Sequence, residues 1–311
     1  MQYRQLGSAG VRVSTIGLGT NQFGGKVDAR GVDALLGRAV ELGVTFVDTA
    51  DIYQRGRSEE TIGAALTGTR RRQLFLATKV GMRTDDGPNG VGASRQRILD
   101  GIDGSLARLK TDYVDLYQIH QWDEDTPLEE TLQALDDVVR RGKARYVGAS
   151  NFAAWQLAQA NLVAEMGGLT PFATIQPHWH LFERDVEREM VPYCESDGVG
   201  IIPYFPLAGG VLTGKYRRGE PVPDGSRGAT SKYVKGYLTE ANYARLEKLE
   251  AFAGERRRSL TELAVAWLLR HELVASVIAG ATAPDHLDAS ASAHDWELDD
   301  DELAAIETIL E

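Results

Sequence analysis

The stretch Phe46–Gly63, which reads FVDTADIYQRGRSEETIG, decides the fold of this chain. It opens with a short apolar run that ends on the carboxylate of Asp48, and Tyr53 follows in a polar segment that contains glycine. Ser58, two glutamates and apolar residues at helical spacing come next, which predicts a helix that Ser58 caps. An acid and a phenol are therefore predicted on a loop between a strand and a helix.

The same strand-then-helix unit recurs along the chain at intervals of about 30 residues. The strand-like runs are Thr15–Gly19, Phe46–Asp48, Leu74–Lys79, Val114–His120, Tyr146–Ser150, Thr174–Gln176, Gly200–Tyr204 and Ser276–Ala279. The helical patterns lie at Asp28–Glu41, from Ser58, at Ser94–Leu109, Leu128–Arg140, Ala154–Glu165, Val186–Ser196, Glu240–Glu255 and Leu260–Arg270, and from Pro284. This alternation predicts an α/β fold, a closed parallel (β/α)8 TIM barrel, with an open doubly wound sheet as the alternative.

Each end of the chain adds one element to these units. Gln2–Leu6 and Val11–Val13 are predicted to form a β-hairpin around a glycine-containing turn, and Asp299–Leu310 is predicted to form an extra C-terminal helix. No linker or low-complexity tract interrupts the pattern. Residues 1–311 are accordingly predicted to form a single domain.

Composition and charge narrow the classes of function. The 311 residues are 43% hydrophobic and carry a net charge of -11, which argues against a nucleic-acid-binding surface. The N-terminus lacks the apolar stretch of a signal peptide, and no run approaches the roughly 18 apolar residues of a membrane span, so we expect a cytoplasmic protein without membrane contact. Cys194 is the only cysteine and is expected to be an inert buried thiol. The sequence leaves the oligomeric state open.

Polar or amphipathic side chains end six of the predicted strands. These residues are Asp48, Lys79, His120, Ser150 with Asn151, Gln176 and Tyr204. The carboxyl ends of the strands of a parallel barrel meet on one face, which is where active sites of such barrels are built. We therefore predict a functional site on this rim.

Asp48, Tyr53, Lys79 and His120 have the chemistry of an acid/base site for a carbonyl group. A phenol has a pKa of about 10, too high for ready proton exchange at neutral pH, and an adjacent ammonium such as that of Lys79 favours the phenolate. Asp48 would keep Lys79 charged and oriented, and His120 would donate an N–H to a substrate oxygen. Such a pocket suits the interconversion of a carbonyl and an alkoxide.

Carbonyl reduction also needs hydride, which a nicotinamide supplies. Ser150, Asn151 and Gln176 have the donors and acceptors that a carboxamide requires, and Tyr204 offers a face for stacking. The run Phe205–Lys215, FPLAGGVLTGK, offers backbone N–H groups and small residues to a pyrophosphate. A basic segment overlaps and follows this run and is a candidate phosphate-binding lid, with the cations Lys215, Arg217, Arg218, Arg227, Lys232 and Lys235.

These motifs resemble the aldo-keto reductase family along nearly the whole chain. The shared motifs are GLGT at 17–20, FVDTADIY at 46–53, ATK at 77–79, DLYQIH at 115–120, GASN at 148–151, IQ at 175–176 and PLAGGVLTGKY at 206–216. The resemblance implies a catalytic tetrad of Asp48, Tyr53, Lys79 and His120, with Tyr53 as general acid, and a hairpin that plugs the bottom of the barrel. The loop after the seventh strand resembles the branch with potassium-channel β subunits and bacterial general-stress reductases.

The resemblance also implies a cofactor, NADPH with NADH as an alternative, and a small aldehyde or ketone as substrate. The residues implied in cofactor binding are Gly19, Thr20, Asn21, Asp48, Ser150, Asn151, Gln176, Tyr204, Phe205, Pro206, Leu207, Gly209, Lys215, Arg227, Gly280, Thr282 and His286.

The chain departs from the family pattern at several positions. Gly280, His286, Ala289 and Ser290 stand in the adenosine-binding region, where many relatives place a cation, Gln or Arg, Glu and Asn. Because a missing guanidinium weakens recognition of a 2′-phosphate, the preference for NADPH is open. Phe205 replaces a common serine and Asn21 a common tryptophan, so the pocket differs in shape. Its walls are predicted at Trp122 and Phe23, with the loops Gly81–Gly92 and Gln121–Thr126 carrying specificity.

Other interpretations compete with this one. The glycines near Gly17 match neither a dinucleotide fingerprint nor a P-loop, and His178 with His180 lack a visible third ligand, so no metal site is predicted. A Schiff-base aldolase would use Lys79, but Asp48 would keep that lysine charged. Two further alternatives are a cofactor-bound sensing or docking module with little turnover and a dehydrogenase that runs in the oxidative direction.

Overall fold

Two hairpin strands precede eight parallel strands in the computed structural model, which describes all residues from Met1 to Glu311. The hairpin strands are β1 (Tyr3–Gln5) and β2 (Arg12–Ser14). The parallel strands are β3 (Ile16–Gly19), β4 (Phe46–Asp48), β5 (Phe75–Val80), β6 (Val114–Ile119), β7 (Ala144–Ser150), β8 (Thr174–Gln176), β9 (Gly200–Ile201) and β10 (Val277–Gly280).

The parallel sheet closes on itself. Its order is β10-β3-β4-β5-β6-β7-β8-β9, which follows the chain except that the last strand pairs with the first. Ile201 of β9 bridges to Val274 just before β10, and the Ile201 N–H donates to the carbonyl of Leu273 at 2.8 Å. The predicted α/β fold with a (β/α)8 barrel is confirmed.

Helices follow the strands and cover the outside of the sheet. They are α1 (Ala29–Leu42), α2 (Arg57–Ala65), α3 (Arg70–Gln73), α4 (Arg95–Leu109), α5 (Leu128–Arg140), α6 (Ala154–Gly167), α7 (Met190–Asp197), α8 (Arg227–Thr230), α9 (Lys232–Tyr237), α10 (Glu240–Glu255), α11 (Leu260–Leu269), α12 (Pro284–Ala291) and α13 (Asp300–Leu310). Short 3-10 turns lie at Asp185–Glu187, Ala208–Thr213 and Ser292–Asp295. None of these helices is long and apolar enough to cross a membrane.

The N-terminal hairpin plugs the bottom of the barrel, as the family resemblance implies. Leu6 and Val13 are fully buried in one apolar cluster with residues inside the barrel, among them Phe46 and Leu116. The guanidinium of Arg4 donates to three backbone carbonyls between α11 and β10, those of Leu269, His271 and Val274. The hairpin is thereby tied both to the core of the barrel and to the last third of the chain.

Several helices begin at a residue whose side chain caps them. The side chains of Asp28, Ser94 and Asp299 accept hydrogen bonds from backbone N–H groups in the first turns of α1, α4 and α13. The helix predicted over Val186–Ser196 instead divides into the 3-10 turn Asp185–Glu187 and α7. Cys194 on α7 is buried, and burial with Asp197 and Glu195 nearby raises the pKa of its thiol to about 12, which disfavours the reactive thiolate.

The prediction that Ser58 caps α2 was wrong. The helix begins at Arg57, and the Ser58 side chain points inward from its first turn. The buried hydroxyl donates to the carbonyl of Thr20 at 3.0 Å and lies 2.9 Å from the hydroxyl of Thr49. Ser58 therefore links the loops that follow β3 and β4, because a small buried hydroxyl can satisfy two loops at once.

The seventh barrel strand is shorter than predicted. It ends at Ile201 rather than Tyr204, since Pro203 has no N–H to continue the ladder. Tyr204 still lies next to the sheet, because its N–H donates to the carbonyl of Pro177 at 3.0 Å. The strand β5, by contrast, continues one residue past Lys79.

Candidate active site

A buried ion pair forms the centre of the rim. Nζ of Lys79 lies 2.5 Å from Oδ2 of Asp48 and donates to the hydroxyl oxygen of Tyr53 at 3.1 Å. The third donor position of the ammonium is filled by the carbonyl of Thr49 at 2.9 Å. Lys79 and Asp48 have side-chain exposures of 0% and 3%, so solvent hardly competes for these contacts. Three of the four residues predicted as an acid/base group are in direct contact.

The strands explain how these groups meet. Asp48 is the last residue of β4, and Lys79 lies on β5, which pairs in parallel with β4. Tyr53 lies in the turn between β4 and α2, and the Asp51 N–H in that turn donates to the carbonyl of Lys79 at 3.2 Å. The turn is thus bound to the strand that carries the lysine.

Two amides complete the environment of Asp48. Its Oδ1 accepts hydrogen bonds from Nε2 of Gln176 at 2.8 Å and from Nε2 of Gln118 at 3.3 Å. Gln118, which lies on β6 in the motif DLYQIH, is not among the residues predicted for the site. The signal that identifies it is an amide two residues before His120 on a strand, because residues at this spacing face the same side of a sheet. Oε1 of Gln118 is buried without a partner.

The ionisation of the central pair is set by burial and by mutual attraction. Burial lowers the pKa of Lys79, but the negative charge of Asp48 and the phenol of Tyr53 outweigh it, so the pKa is raised. Burial raises the pKa of Tyr53, and Lys79 opposes this shift only in part. Lys79 acts on the pKa of Tyr53 in the predicted direction, towards the phenolate, but burial outweighs it in the free protein. Lys79 is charged at neutral pH and Tyr53 carries its proton.

His120 follows β6 directly and is neutral. Burial, and next to it the charge of Lys79, lowers the pKa of His120 to about 3. Its ring stands edge-on to that of Tyr53 at 5.9 Å between centroids. Nδ1 is buried without a partner, which leaves Nε2 as the nitrogen that faces the open rim. A neutral imidazole with a proton on Nε2 can donate one hydrogen bond there.

The residues predicted for a carboxamide lie beside the ion pair and contact one another. Ser150 donates to the carbonyl of Gln176 at 2.9 Å, and Nδ2 of Asn151 donates to the carbonyl of His120 at 2.9 Å. Oδ1 of Asn151 accepts from the hydroxyl of Tyr204 at 2.8 Å. Oε1 of Gln176 accepts no hydrogen bond within the protein, and the Ser150 hydroxyl retains acceptor capacity. These free acceptors fit the N–H groups of a carboxamide.

Tyr204 presents its ring at the same edge. One face stacks on the imidazole of His178, with 5.2 Å between centroids and an angle of 18°. The hydroxyl of Tyr233 on α9 is hydrogen-bonded to Nε2 of His178. The hydroxyl of Tyr237 lies 2.8 Å from the hydroxyl of Tyr233. His178, on which Tyr204 stacks, is therefore held in place by the segment that follows β9.

The predicted phosphate region is a glycine turn that lies next to two cations, Lys215 and Arg227. Gly209 and Gly210 have φ values of 66° and 103°, which permits a tight turn that a residue with a side chain would strain. A Cβ on Gly210 would come within 2.6 Å of Nζ of Lys215. The guanidinium of Arg227 donates to Oδ1 of Asn21 at 3.3 Å and lies 5.3 Å from the ring centroid of Phe205. Neither cation forms an ion pair with a carboxylate.

The other cations of the predicted lid differ in their contacts. Arg217 pairs with Glu250, and Arg218 with Glu240 and Glu247, so both tie the segment to α10. The lid was predicted as one basic unit, and the structure divides it. Lys215 and Arg227 remain available for an anion, as do Lys232 and Lys235. The short helices α8 and α9 within the segment were not predicted.

The remaining predicted cofactor residues lie on two sides of this region. Gly280 ends β10 with open space around its Cα, and the hydroxyl of Thr282 lies 3.1 Å from Nδ1 of His286 on α12. Thr20 is buried and donates to the carbonyl of Asp48, so its side chain stabilises the rim from within. Pro206 and Leu207 lead into the glycine turn, and Gly19 ends β3.

Comparison with known proteins identifies the family of this chain. A profile of the aldo/keto reductase family covers residues 15–311. The chain belongs to the aldo/keto reductase family. It is 39% identical to a probable voltage-gated potassium channel subunit beta of Oryza sativa over 92% of this chain and 89% of the relative. It is 32% identical to versiconal hemiacetal acetate reductase of Aspergillus parasiticus and 35% identical to an uncharacterized oxidoreductase of Bacillus subtilis, each over 99% of this chain and 96% of the relative.

Of the two residues predicted as pocket walls in this aldo/keto reductase, Phe23 is misplaced, and the role of Trp122 stays a prediction. Phe23 is fully buried and bridges to Val27, so it supports the loop after β3 and cannot face an open pocket. Trp122 is half-buried and packs edge-on against Phe152 and Trp155, at 5.1 Å and 5.8 Å between centroids. Phe23 was predicted as a wall because an apolar residue in a rim loop has the same sequence signature in either position.

Proposed function

We propose that this aldo/keto reductase catalyses the NAD(P)H-dependent reduction of an aldehyde or ketone to an alcohol. The observation that carries the proposal is the ammonium of Lys79, which bridges the carboxylate of Asp48 and the hydroxyl of Tyr53. This arrangement holds a proton donor next to a buried positive charge. Such a charge stabilises the phenolate that remains after the proton has left.

Each residue of the tetrad has a distinct task in this proposal. Tyr53 donates its proton to the carbonyl oxygen, and Lys79 stabilises the phenolate. Asp48 keeps Lys79 protonated. His120 donates a hydrogen bond from Nε2 to the same substrate oxygen and orients it. A reduced nicotinamide, when bound, supplies the hydride.

The coenzyme is proposed to bind between β7 and the glycine turn after β9. Ser150, Asn151 and Gln176 would hold the carboxamide, and the exposed face of Tyr204 would lie against the ring. Lys215 and Arg227, which lack carboxylate partners, would hold the phosphates. The family resemblance implies NADPH, which we propose as the coenzyme. Because Gly280 and His286 provide no guanidinium for a 2′-phosphate, we propose that NADH also serves as a competent second coenzyme.

The proposed direction is reduction, in which Tyr53, protonated in the free protein, is the general acid. In the reverse reaction the same residue would act as the base. A dehydrogenase that runs in the oxidative direction is therefore the alternative within this proposal.

A second candidate function follows from the names of two relatives. Proteins from rice and Arabidopsis thaliana at 39% and 36% identity are named as probable potassium channel β subunits. A cofactor-bound sensing or docking module with little turnover is therefore the alternative. It predicts tight coenzyme binding without catalysis.

Both candidates are tested with the purified protein. Quenching or enhancement of nicotinamide fluorescence gives the Kd of NADPH and of NADH in parallel titrations. Loss of absorbance of the reduced nicotinamide is then followed with a panel of small aldehydes and ketones. Binding with turnover supports the reductase, binding without turnover on the whole panel supports the sensing module, and no binding of either coenzyme contradicts both.

A further inference from the structure

A second buried ion pair lies beside the catalytic turn. Asp51 is two residues before Tyr53, and its carboxylate accepts a hydrogen bond from Nη2 of Arg97 on α4. The two residues are 4% and 7% exposed. Neither belongs to the tetrad or to the proposed coenzyme site.

Arg97 connects two loops of the rim. The same Nη2 donates to the carbonyl of Met82 at 3.4 Å, in the segment that follows β5. The N–H of Asp51 donates to the carbonyl of Lys79 on β5. The ion pair and the backbone of Asp51 therefore join the turn that carries Tyr53 to the C-terminal end of β5 and to the residues that follow it.

The turn needs such support because its backbone is unusual. Gln54, Arg55 and Gly56 have consecutive φ values of 51°, 58° and 84°, and residues with a Cβ rarely adopt this region. On one side, Nε2 of Gln54 donates to the carbonyl of Asn21 at 2.9 Å. On the other side, the pair of Asp51 and Arg97 holds the turn. A strained segment persists only where its surroundings determine it from several directions.

The pair contributes geometry more than stability. Oδ1 of Asp51 and Nε of Arg97 are buried without partners, so the pair is incompletely satisfied. The desolvation of two charges offsets most of their attraction in such a case. Both residues line a polar cleft of about 500 Å³ between the turn, the 84–90 loop and α4, which keeps this side of the turn open to solvent and without apolar packing.

We propose that Asp51 and Arg97 form a positioning pair that holds the hydroxyl of Tyr53 against Lys79 and so sets the rate of proton donation. The inference rests on the proposed reductase function. The pair must be ionised to act, since a protonated Asp51 no longer attracts the guanidinium.

The surroundings place the ionisation of Asp51 within reach of ordinary assays. Burial, opposed by Arg97, raises the pKa of Asp51 to about 6. Glu59 on α2 raises this pKa and Arg108 on α4 lowers it, while the phenol of Tyr117 on β6 also lies within the field of the carboxylate. Below about pH 6 the carboxylate is protonated, so proton donation by Tyr53 should slow there.

The test compares Asp51→Asn, Arg97→Gln and Arg97→Lys with the wild type. We expect kcat to fall on the order of 10-fold in Asp51→Asn, as a small misplacement of a reacting group does, with the Kd of NADPH unchanged within about twofold. The acidic limb of the pH profile near 6 should disappear in this variant. Arg97→Lys should recover part of the activity that Arg97→Gln loses, because lysine keeps the charge. An unaltered pH profile and kcat in Asp51→Asn would overturn the proposal.

A matched control lies on the same helix. Arg95 forms an ion pair with Asp137, and the two side chains are 45% and 34% exposed. Because such an exposed pair contributes little, Arg95→Gln should leave kcat and the pH profile unchanged. A general weakening of α4 would affect both pairs alike.

A second readout does not need turnover. Tyrosine labelled with ¹³C at Cζ gives one resonance for Tyr53, assigned by its loss in Tyr53→Phe. Loss of the Lys79 contact in Asp51→Asn should shift this resonance and raise the pKa of the phenol further, while the Arg95→Gln spectrum should match the wild type. If the wild type has no activity, the reductase proposal fails, but an unshifted resonance in Asp51→Asn is what would refute the positioning pair.

Discussion

Nε2 of Gln176 lies 2.8 Å from Oδ1 of Asp48, the carboxylate whose other oxygen holds Lys79. The amide proposed to hold the coenzyme and the ion pair proposed to support proton donation therefore share one side chain. A change in one part of the site is transmitted to the other through this carboxylate.

Replacement of Tyr53 should abolish proton donation and spare the coenzyme. In Tyr53→Phe we expect kcat to fall by a factor on the order of 10² or more, because general-acid catalysis contributes this much, and the Kd of NADPH to change less than about twofold. Steady-state assays and fluorescence titration measure the two effects. Tyr3→Phe, at an exposed tyrosine of β1, is the control. Wild-type turnover in Tyr53→Phe would rule out the assigned role.

Removal of the Lys79 charge should destabilise the fold. Lys79→Met leaves Asp48 buried without its cation, so we expect the free energy of unfolding to fall by about 3–5 kcal/mol. The control is Lys143→Met, which breaks a partly exposed pair with Asp103 and should cost at most about 1 kcal/mol. Urea titrations at pH 7 measure the free energy of unfolding of both variants. Equal losses would show that the buried pair contributes no more to stability than the partly exposed one.

The double variant Asp48→Asn with Lys79→Met extends this test. It removes both charges, so it should recover part of the stability that Lys79→Met loses. A further loss in the double variant would mean that the amides of Gln118 and Gln176, rather than the ion pair, hold this region together.

Two cations of the basic segment should matter for coenzyme binding, and a third, Arg217, should not. Arg227→Gln and Lys215→Met should each raise the Kd of NADPH by about 10- to 100-fold, since a hydrogen bond to a charged group contributes about 1.5–3 kcal/mol. Arg217→Gln is matched in charge and in segment, but its side chain pairs with Glu250, so it should leave the Kd unchanged. Fluorescence titrations measure these Kd values. A similar effect of all three changes would mean that the segment acts as one basic patch and that Lys215 and Arg227 have no special role.

Stability should fall below neutral pH because of two buried and two half-buried histidines. Burial lowers the pKa of His120 and His180 to about 3 and of His178 and His271 to about 4. The unfolded chain binds protons at these sites below about pH 6.5 while the folded protein does not, so each site costs about 1.4 kcal/mol per pH unit as the pH falls towards its folded pKa.

Asp51 acts with the opposite sign. Its folded pKa of about 6 exceeds the unfolded value of 3.8, so its contribution to stability rises as the pH falls through this window and offsets one histidine. The sum still favours destabilisation. Urea midpoints at pH 7 and pH 5 measure it, and His271→Asn should weaken the pH dependence. A stability that is flat over this range would contradict the neutral state of these imidazoles in the folded protein.

The sequence predicts those parts of the fold that depend on periodicity. Alternating strands and helices placed Asp48, Lys79 and His120 on one rim, because strand ends in a parallel barrel share a face. Ser58 was misassigned, since a serine before glutamates has the same signature whether its hydroxyl caps a helix or faces inward. The short helices α8 and α9 were missed because their apolar contacts come from other segments, such as the packing of Val234 above Gly209.

The sequence predicts which residues form the site better than it predicts their ionisation and contacts. The sequence supplies Lys79 as a neighbour that lowers the pKa of Tyr53, but burial outweighs this effect and depends on every element around the rim. Gln118 reads as an ordinary strand residue until β6 places it against Asp48. Asp51 and Arg97 are far apart in sequence, and only the packing of α4 on the turn brings them together.

The contacts of Arg4 bear on how the protein is made. Its guanidinium binds carbonyls of Leu269, His271 and Val274, and β3 pairs with β10, so the hairpin and the first strand of the barrel have partners beside its last strand. The barrel cannot close until β10 has been synthesised. Until then the native cluster around Leu6 and Val13 lacks Ala275 and Ile278, so apolar surface stays exposed on the nascent chain and is prone to aggregation.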